Sequence, residues 1–210
     1  MQQKRLNSLL EAIDNCDTFF DICADHGHLA YQVYKNGIAK NVIASDIRET
    51  CFKQMQQKYG RFIEVRKGDG FDILKDDDNL DTVLIAGVGA KTIEKILNKA
   101  TVNFEKYIFS PHQDVEEFRE YLVSNNFQVY ADYMIRSGQK YYSIIKCKRG
   151  KMQRTEQYIY FGLNTLDNEI FKMYLKDLNE YVEKALNEAT SQHKEKLEKL
   201  RELSGRYFNG

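Results

Sequence analysis

The formal net charge of the chain is zero, so no excess of one sign marks it as a nucleic-acid binder. Any contact with a polyanion has to come from a local patch. No two of the four cysteines (Cys16, Cys23, Cys51, Cys147) have Cys-x-x-Cys spacing. That fits a reduced, cytoplasmic protein without a disulfide framework or a zinc finger. No apolar run approaches the roughly 20 residues of a membrane span. The opening MQQKRLNSLLEAI is an amphipathic helix pattern and not a signal peptide. Tryptophan is absent and Pro111 is the single proline. With abundant Lys, Asn and Tyr, this composition suggests an AT-rich genome; it concerns the source and not the function. Two nucleotide motifs are also missing. The first strand-to-helix turn has no G-x-G-x-x-G and Gly27 is its only glycine, which counts against a pyrophosphate cradle for NAD or FAD. G-x-x-x-x-G-K-[ST] is absent as well, which counts against a P-loop NTPase.

What is present is an alternation. At 210 residues and 42% hydrophobic content the chain is long enough for one α/β domain and a small appendage. Leu6, Leu9, Leu10 and Ile13 have helical spacing. A strand over 18–24 runs into the turn Asp25-His26-Gly27-His28, and a helix over 29–37 ends at Asn36-Gly37. Val42-Ile43-Ala44 leads to Ser45-Asp46, then a helix over 49–59. Phe62–Val65 leads to Gly68-Asp69-Gly70, and Thr82–Ala86 to Gly87-Val88-Gly89-Ala90. A helix over 91–99 follows. Tyr107–Phe109 stops at Ser110-Pro111-His112, and a helix over 114–125 follows. This is the pattern of a parallel sheet with helices on both faces. Phe127–Ile135 and Tyr141–Cys147 then flank a glycine-containing loop, which reads as an antiparallel hairpin. A parallel sheet closed by such a hairpin is the layout of a Rossmann-like class I methyltransferase. After Gly150 the strands stop. Phe171, Leu175, Leu178, Val182, Ala185 and Ala189 form one helical stripe, and Leu197, Leu200 and Leu203 a second. The break is expected at Gln192-His193. Two domains are expected: residues 1–150, and a helical coiled-coil hairpin over 151–210.

The chemistry sits at the strand ends. In an open α/β sheet the ligand lies beyond the carboxyl ends of the strands. There the Asp21–Gly27 turn offers Asp21, Cys23, Ala24, Asp25, His26 and Gly27, with a helix N-terminus behind them. Asp46, followed by Ile47, stands where an acid accepts both hydroxyls of a ribose. Asp69, between Gly68 and Gly70, can accept from an exocyclic amine such as an adenine N6. Ala86, Gly87 and Gly89 bring bare backbone to the same edge. Acids and glycines follow strands often enough as mere turn residues. Their recurrence at four successive strand ends describes a cleft for an adenosine-bearing cofactor. S-adenosylmethionine fits best, because it has no phosphate and needs no phosphate cradle.

The runs DICADHGHLA, ASDI, GDGF, IAGVGA and FSPH resemble the bacterial tRNA (adenine-N1)-methyltransferases that modify adenine 22, the TrmK family. That family's pattern is close to D-I-G-[ST]-D-H-[AG]-x-L-P, G-D-G-L, I-A-G-M-G-G and a Q-P-N-like turn, followed by a coiled-coil hairpin. The resemblance runs from about Arg5 to Arg201. Cys23 replaces a glycine, Ala30 a proline, Ala90 a glycine, and Ser110-Pro111-His112 the Q-P-N-like turn; Leu163 stands where proline is common. The resemblance implies methyl transfer from S-adenosylmethionine, leaving S-adenosylhomocysteine, to N1 of an adenine in tRNA. Asp25 is then the candidate catalytic carboxylate. His26, Val88, Pro111 and His112 are candidates for contact with the base. Lys146, Lys148, Arg149, Lys151 and Arg154, with Arg136 and Lys140, are expected to form one basic strip against tRNA, facing the coiled coil. No protein partner is implied, and a monomer is expected. The competing readings are methylation of another RNA or of a small molecule, a methyltransferase fold that binds without catalysis, and a metal-dependent hydrolase using Asp25, His26 and His28, with His112 joining them.

Overall fold

The computed structural model describes residues 2–188 and 190–208. Helix α1 (Gln2–Glu11) is followed by five strand–helix units: β1 (Cys16–Ile22), α2 (His28–Lys35), β2 (Ala39–Asp46), α3 (Glu49–Tyr59), β3 (Glu64–Lys67), a 3-10 turn (Gly70–Ile73), β4 (Thr82–Ala86), α4 (Ala90–Asn98), β5 (Lys106–Ser110) and α5 (Val115–Ser124). The hairpin β6 (Phe127–Ser137) and β7 (Lys140–Arg149) comes next, then α6 (Glu156–Phe161), α7 (Glu169–Leu186) and α8 (Ser191–Gly205). The sheet order is β3-β2-β1-β4-β5-β7-β6. Strands β1 to β5 are parallel, and β7 joins β5 antiparallel. The strand order reverses between β1 and β4, which makes their carboxyl ends the natural crevice.

Buried parallel strands are apolar on both faces, and β1 shows why. Phe19 packs with α1, α2 and α3 residues such as Leu9, Val33 and Met55. Its neighbours Phe20 and Ile22 point the other way, into Ile93, Ile96 and Phe118 of α4 and α5. Helix α2 starts after Gly27, which has no side chain to cap it. The buried Asp21 carboxyl accepts the backbone N–H of Ala30 instead and so takes one of the helix's free donors from inside the sheet.

The hairpin turn is tighter than the sequence suggests. Ser137 pairs with Lys140, which leaves only Gly138 and Gln139 as the loop. The break between the last two helices also differs. Asn187 caps α7 and α8 begins at Ser191, so Gln192 and His193 lie inside the helix. Thr190 occupies the N-cap position in extended backbone, without a side-chain cap bond. Of the expected stripe, Phe171, Leu175 and Val182 are buried; Ala189 lies outside the described residues. Tyr207 meets Phe171 edge to face at 5.0 Å, so α8 folds back along α7.

These helices share a core with the sheet. Met134 of β6 and Phe161 of α6 pack with Phe171, Leu175, Val182, Leu197 and Leu203. Tyr158 and Ile159 of α6 belong to the sheet's own core. The junction is a buried ion pair. Arg119 of α5 donates through Nε to Asp132 Oδ2 at 2.7 Å and through Nη2 to Oδ1 at 3.0 Å. The same guanidinium reaches the carbonyls of Ile159 and Tyr160 and the hydroxyl of Ser143. Gly162 closes the junction at φ 66°; a Cβ there would lie 2.5 Å from the Asp132 carboxylate.

Candidate active site

The expected cofactor and base-side residues all fall at the carboxyl ends of the parallel strands. Asp21 lies near the end of β1 and Cys23 to Gly27 form the β1–α2 turn; Asp46 ends β2 and Ile47 follows it. Gly68 to Gly70 follow β3, Ala86 ends β4 with Gly87 to Gly89 after it, and Pro111–His112 follow β5. The β1–α2 turn is wound tightly: Cys23, Asp25 and Gly27 have φ of 63°, 54° and 67°. Left-handed backbone at two non-glycine residues is unfavourable, and cross-strand bonds hold it. Ala24 N–H donates to the Ser45 carbonyl at 2.8 Å, and Asp25 N–H to Asp46 Oδ2 at 3.1 Å. At Gly27 a Cβ would sit 3.0 Å from the Met55 side chain.

Asp46 is the best-anchored carboxylate. Its Oδ1 accepts Arg48 N–H and Nε at 2.9 and 3.0 Å, and its Oδ2 accepts Arg48 Nη2 at 3.0 Å besides Asp25 N–H. A carboxylate offers about four lone-pair sites, so all are taken. Burial pushes Asp46 up, but the Arg48 bonds outweigh it and hold the carboxyl below its usual range. Arg48 Nη2 also donates to Asp25 Oδ1 at 2.8 Å, so one guanidinium bridges both acids. Asp69 is held below its usual range by Lys99, whose Nζ lies 2.8 Å away. Cys23 stands among Asp21, Asp46 and Asp69. Burial, then those three charges, push its thiol up to about 12, so it is no thiolate nucleophile at neutral pH.

Burial pushes Asp21 up to about 7, with Asp46 adding to the rise and the Ala30 N–H opposing it. Since the fold disfavours the charged form, this group's contribution to stability is complete below about pH 4 and is lost as pH rises through about 7. Asp21→Asn should flatten that loss. Urea unfolding compared at about pH 5 and about pH 8 checks it. An unchanged pH dependence in the variant would refute the assignment.

On the other side of the crevice, His112 N–H donates to the Val88 carbonyl at 3.0 Å. Its Nε2 lies 2.6 Å from Arg5 Nη1, while Arg5 Nη2 reaches Ser110. Burial, then the charge on Arg5, lower the His112 pKa, so the ring is neutral and accepts. Tyr142 backs this pair, with the Arg5 guanidinium 4.7 Å from its ring.

Arg48, Lys99, Arg5 and Tyr142 are the site residues that sequence reasoning missed. Arg48 had a signal, because a long cation two residues after a strand-end acid can fold back onto it. Arg5 had none, being 105 residues from Ser110.

The expected basic strip is split. Because β7 runs antiparallel to β5, Lys140 lies toward the crevice edge, while Lys148 and Arg149 lie at the amino ends of the parallel strands. Lys146 pairs with Asp14 at 2.7 Å and Arg154 with Glu120 at 2.8 Å. Arg149 caps the Phe127 ring at 4.0 Å and bonds Asn103. Lys151 is exposed. The histidines do not converge on a metal either. His26 bonds Gln54, His28 bonds Tyr59 and His112 bonds Arg5. No group of three or more His, Cys, Asp or Glu that could hold a metal occurs among the described residues.

The arrangement suits binding and alignment of an adenosine-bearing molecule. It shows no activated nucleophile. The chain is 28% identical over 155 residues to the Bacillus subtilis tRNA (adenine(22)-N(1))-methyltransferase, covering 70% of this chain and 65% of that relative, just under two thirds of its length. The structure of M. capricolum TrmK, solved with S-adenosyl-homocysteine, superposes with a TM-score of 0.84 at 24% identity, covering 97% of this chain and 96% of that one. The Bacillus subtilis M1A22 tRNA methyltransferase TrmK superposes with a TM-score of 0.78 at 24% identity and 98% coverage of both chains. These likenesses establish a Rossmann-like methyltransferase fold along essentially the whole chain. A family model described as "Methyltransferase domain" matches residues 2–145, which takes in every strand-end turn of the crevice, and the chain belongs to that methyltransferase family.

Proposed function

We propose that this protein transfers the methyl group of S-adenosylmethionine to N1 of an adenine in tRNA, adenine 22, and works as a cytoplasmic monomer. The four acid- and glycine-bearing strand-end turns carry this reading, in a chain whose curated relative bears that activity in its name. No described helix is long and apolar enough to cross a membrane.

The residues present fit the cofactor. Asp46 and Asp69 are carboxylates at the ribose and adenine ends of such a crevice, and open space lies beyond the Cα of Gly87. When bound, S-adenosylmethionine supplies an electrophilic methyl on a sulfonium. For two ribose hydroxyls to donate to Asp46, Arg48 has to give up at least one of its bonds. The Asp25 carboxylate, which Arg48 Nη2 also reaches, would favour the positive charge that develops on the adenine. N1 of neutral adenine already carries a lone pair, so alignment does most of the work. His26, Val88, Pro111 and the neutral His112 line the side from which the base approaches.

The test is transfer of labelled methyl from S-adenosylmethionine to unmodified tRNA, with reverse transcription mapping the site. A stop at adenine 22 is the expected result. Transfer to another nucleotide, or none, would refute the reading.

A further inference from the structure

The surface formed by α2 and α3 has a composition unlike the rest of the chain. Residues 26–37 and 50–63 contain no Asp or Glu, yet hold Lys35, Lys53, Lys58 and Arg61, in a chain with 31 acidic and 31 basic residues. Lys53 is paired with Glu49. Lys35, Lys58 and Arg61 form no ion pair among the described residues.

Six rings lie in succession there, with Tyr59 buried and the others wholly or partly exposed. His26 and His28 are 6.0 Å apart, and His28 and Tyr59 6.1 Å. Tyr59 and Tyr31 stack at 4.5 Å, and Phe62 and Tyr34 lie within 6.4 Å of Tyr31. Tyr34 and Phe62 are 41% and 47% exposed. Lys58 Nζ stands 5.0 Å from the Tyr59 ring. The row begins at the crevice, where His26 Nε2 is 3.6 Å from Asp25 Oδ2. A cavity of about 430 Å³ lined by His26, His28, Gln54, Gln57 and Lys58 opens there. From His28 to Tyr34 the helix rises about 9 Å, room for successive stacked bases.

Exposed rings offer π-faces that bases accept without sequence preference, and unpaired cations beside them track the phosphates. Glu49 at the start of α3 is the one acid on these two helices, and so cationic a surface favours a polyanion. Resting on the function proposed above, we propose that the α2–α3 face is a stacking platform for unpaired nucleotides of tRNA next to the one that enters the crevice. The adenine has to leave its stack to be methylated. Its displaced neighbours then find rings and amides within a helical turn or two of the cleft.

The experiment uses full-length protein and unmodified tRNA, with affinity read at several salt concentrations and S-adenosylmethionine affinity read in parallel. Tyr34→Ala with Phe62→Ala should weaken tRNA binding about tenfold and leave cofactor affinity unchanged. Phe62→Leu keeps the apolar cover and loses the ring. It should weaken binding in the same direction, which separates stacking from a folding defect. Lys58→Ala with Arg61→Ala should lower the log–log salt slope by about 1.4. Variants that bind tRNA as the wild type does, while the wild type methylates it, overturn the platform alone. A wild type that binds tRNA without methylating it overturns the function, and the same variants still decide the platform.

Discussion

Truncating Arg119 to alanine is expected to cost about 3–5 kcal/mol of stability, a fall in Tm of roughly 10 °C for a chain of this size. The Arg119 side chain is 2% exposed and that of Asp132 is not exposed at all. Removing the cation leaves a carboxylate with no water and no counter-charge. It also strands the carbonyls of Ile159 and Tyr160, which take Arg119 Nη1. The Asp132 side cannot relax by inward movement, because the Gly162 backbone lies against it. Burial lowers the Arg119 pKa and the Asp132 charge more than restores it, so the cation is locked in at any accessible pH. The pair itself adds far less than either truncation removes. Arg119→Met with Asp132→Leu should recover most of the loss. Urea unfolding of the two single variants and the double decides it. A double variant as unstable as the two single losses added together would refute the account.

Replacing Asp46 with alanine should lower S-adenosylmethionine affinity by roughly 100-fold, at 1.5–3 kcal/mol per hydrogen bond to a charged group. Two ribose hydroxyls would lose their acceptor. The left-handed Asp25 would lose the bond to its N–H, and Arg48 would lose three bonds. tRNA binding at the α2–α3 face should hold within about twofold. Calorimetric titration of the cofactor checks the first part. A variant that binds the cofactor like the wild type would remove Asp46 from the site.

Much of this site was legible because turns advertise themselves. Acids and glycines after Ile22, Ala44, Val65 and Ala86 mark strand ends even when boundaries slip by two residues, as at β3. The unread parts are long side chains that travel. Arg48 folds back over two residues, Lys99 crosses from α4 to Asp69, and Arg5 reaches across the sheet. Arg119 looks like a surface charge in sequence, since it lies among glutamates, and Asp132 is a lone acid in an apolar strand. Only their convergence, 13 residues apart, makes burial tolerable. The basic residues failed the opposite way. Counting them together ignored that an antiparallel strand carries Lys140 and Arg149 to opposite ends of the sheet.

The junction at Arg119 has a mechanical consequence. Met134 is buried among the C-terminal helices, and its neighbour Ile135 pairs with Tyr142 across the hairpin. Tyr142 lies under Arg5, and Arg5 holds His112 at the mouth of the crevice. Contacts therefore run from the C-terminal helices to the mouth of the crevice. With α5, α6 and the hairpin pinned by one buried cation, amide protons of α6 should exchange with the sheet rather than ahead of it.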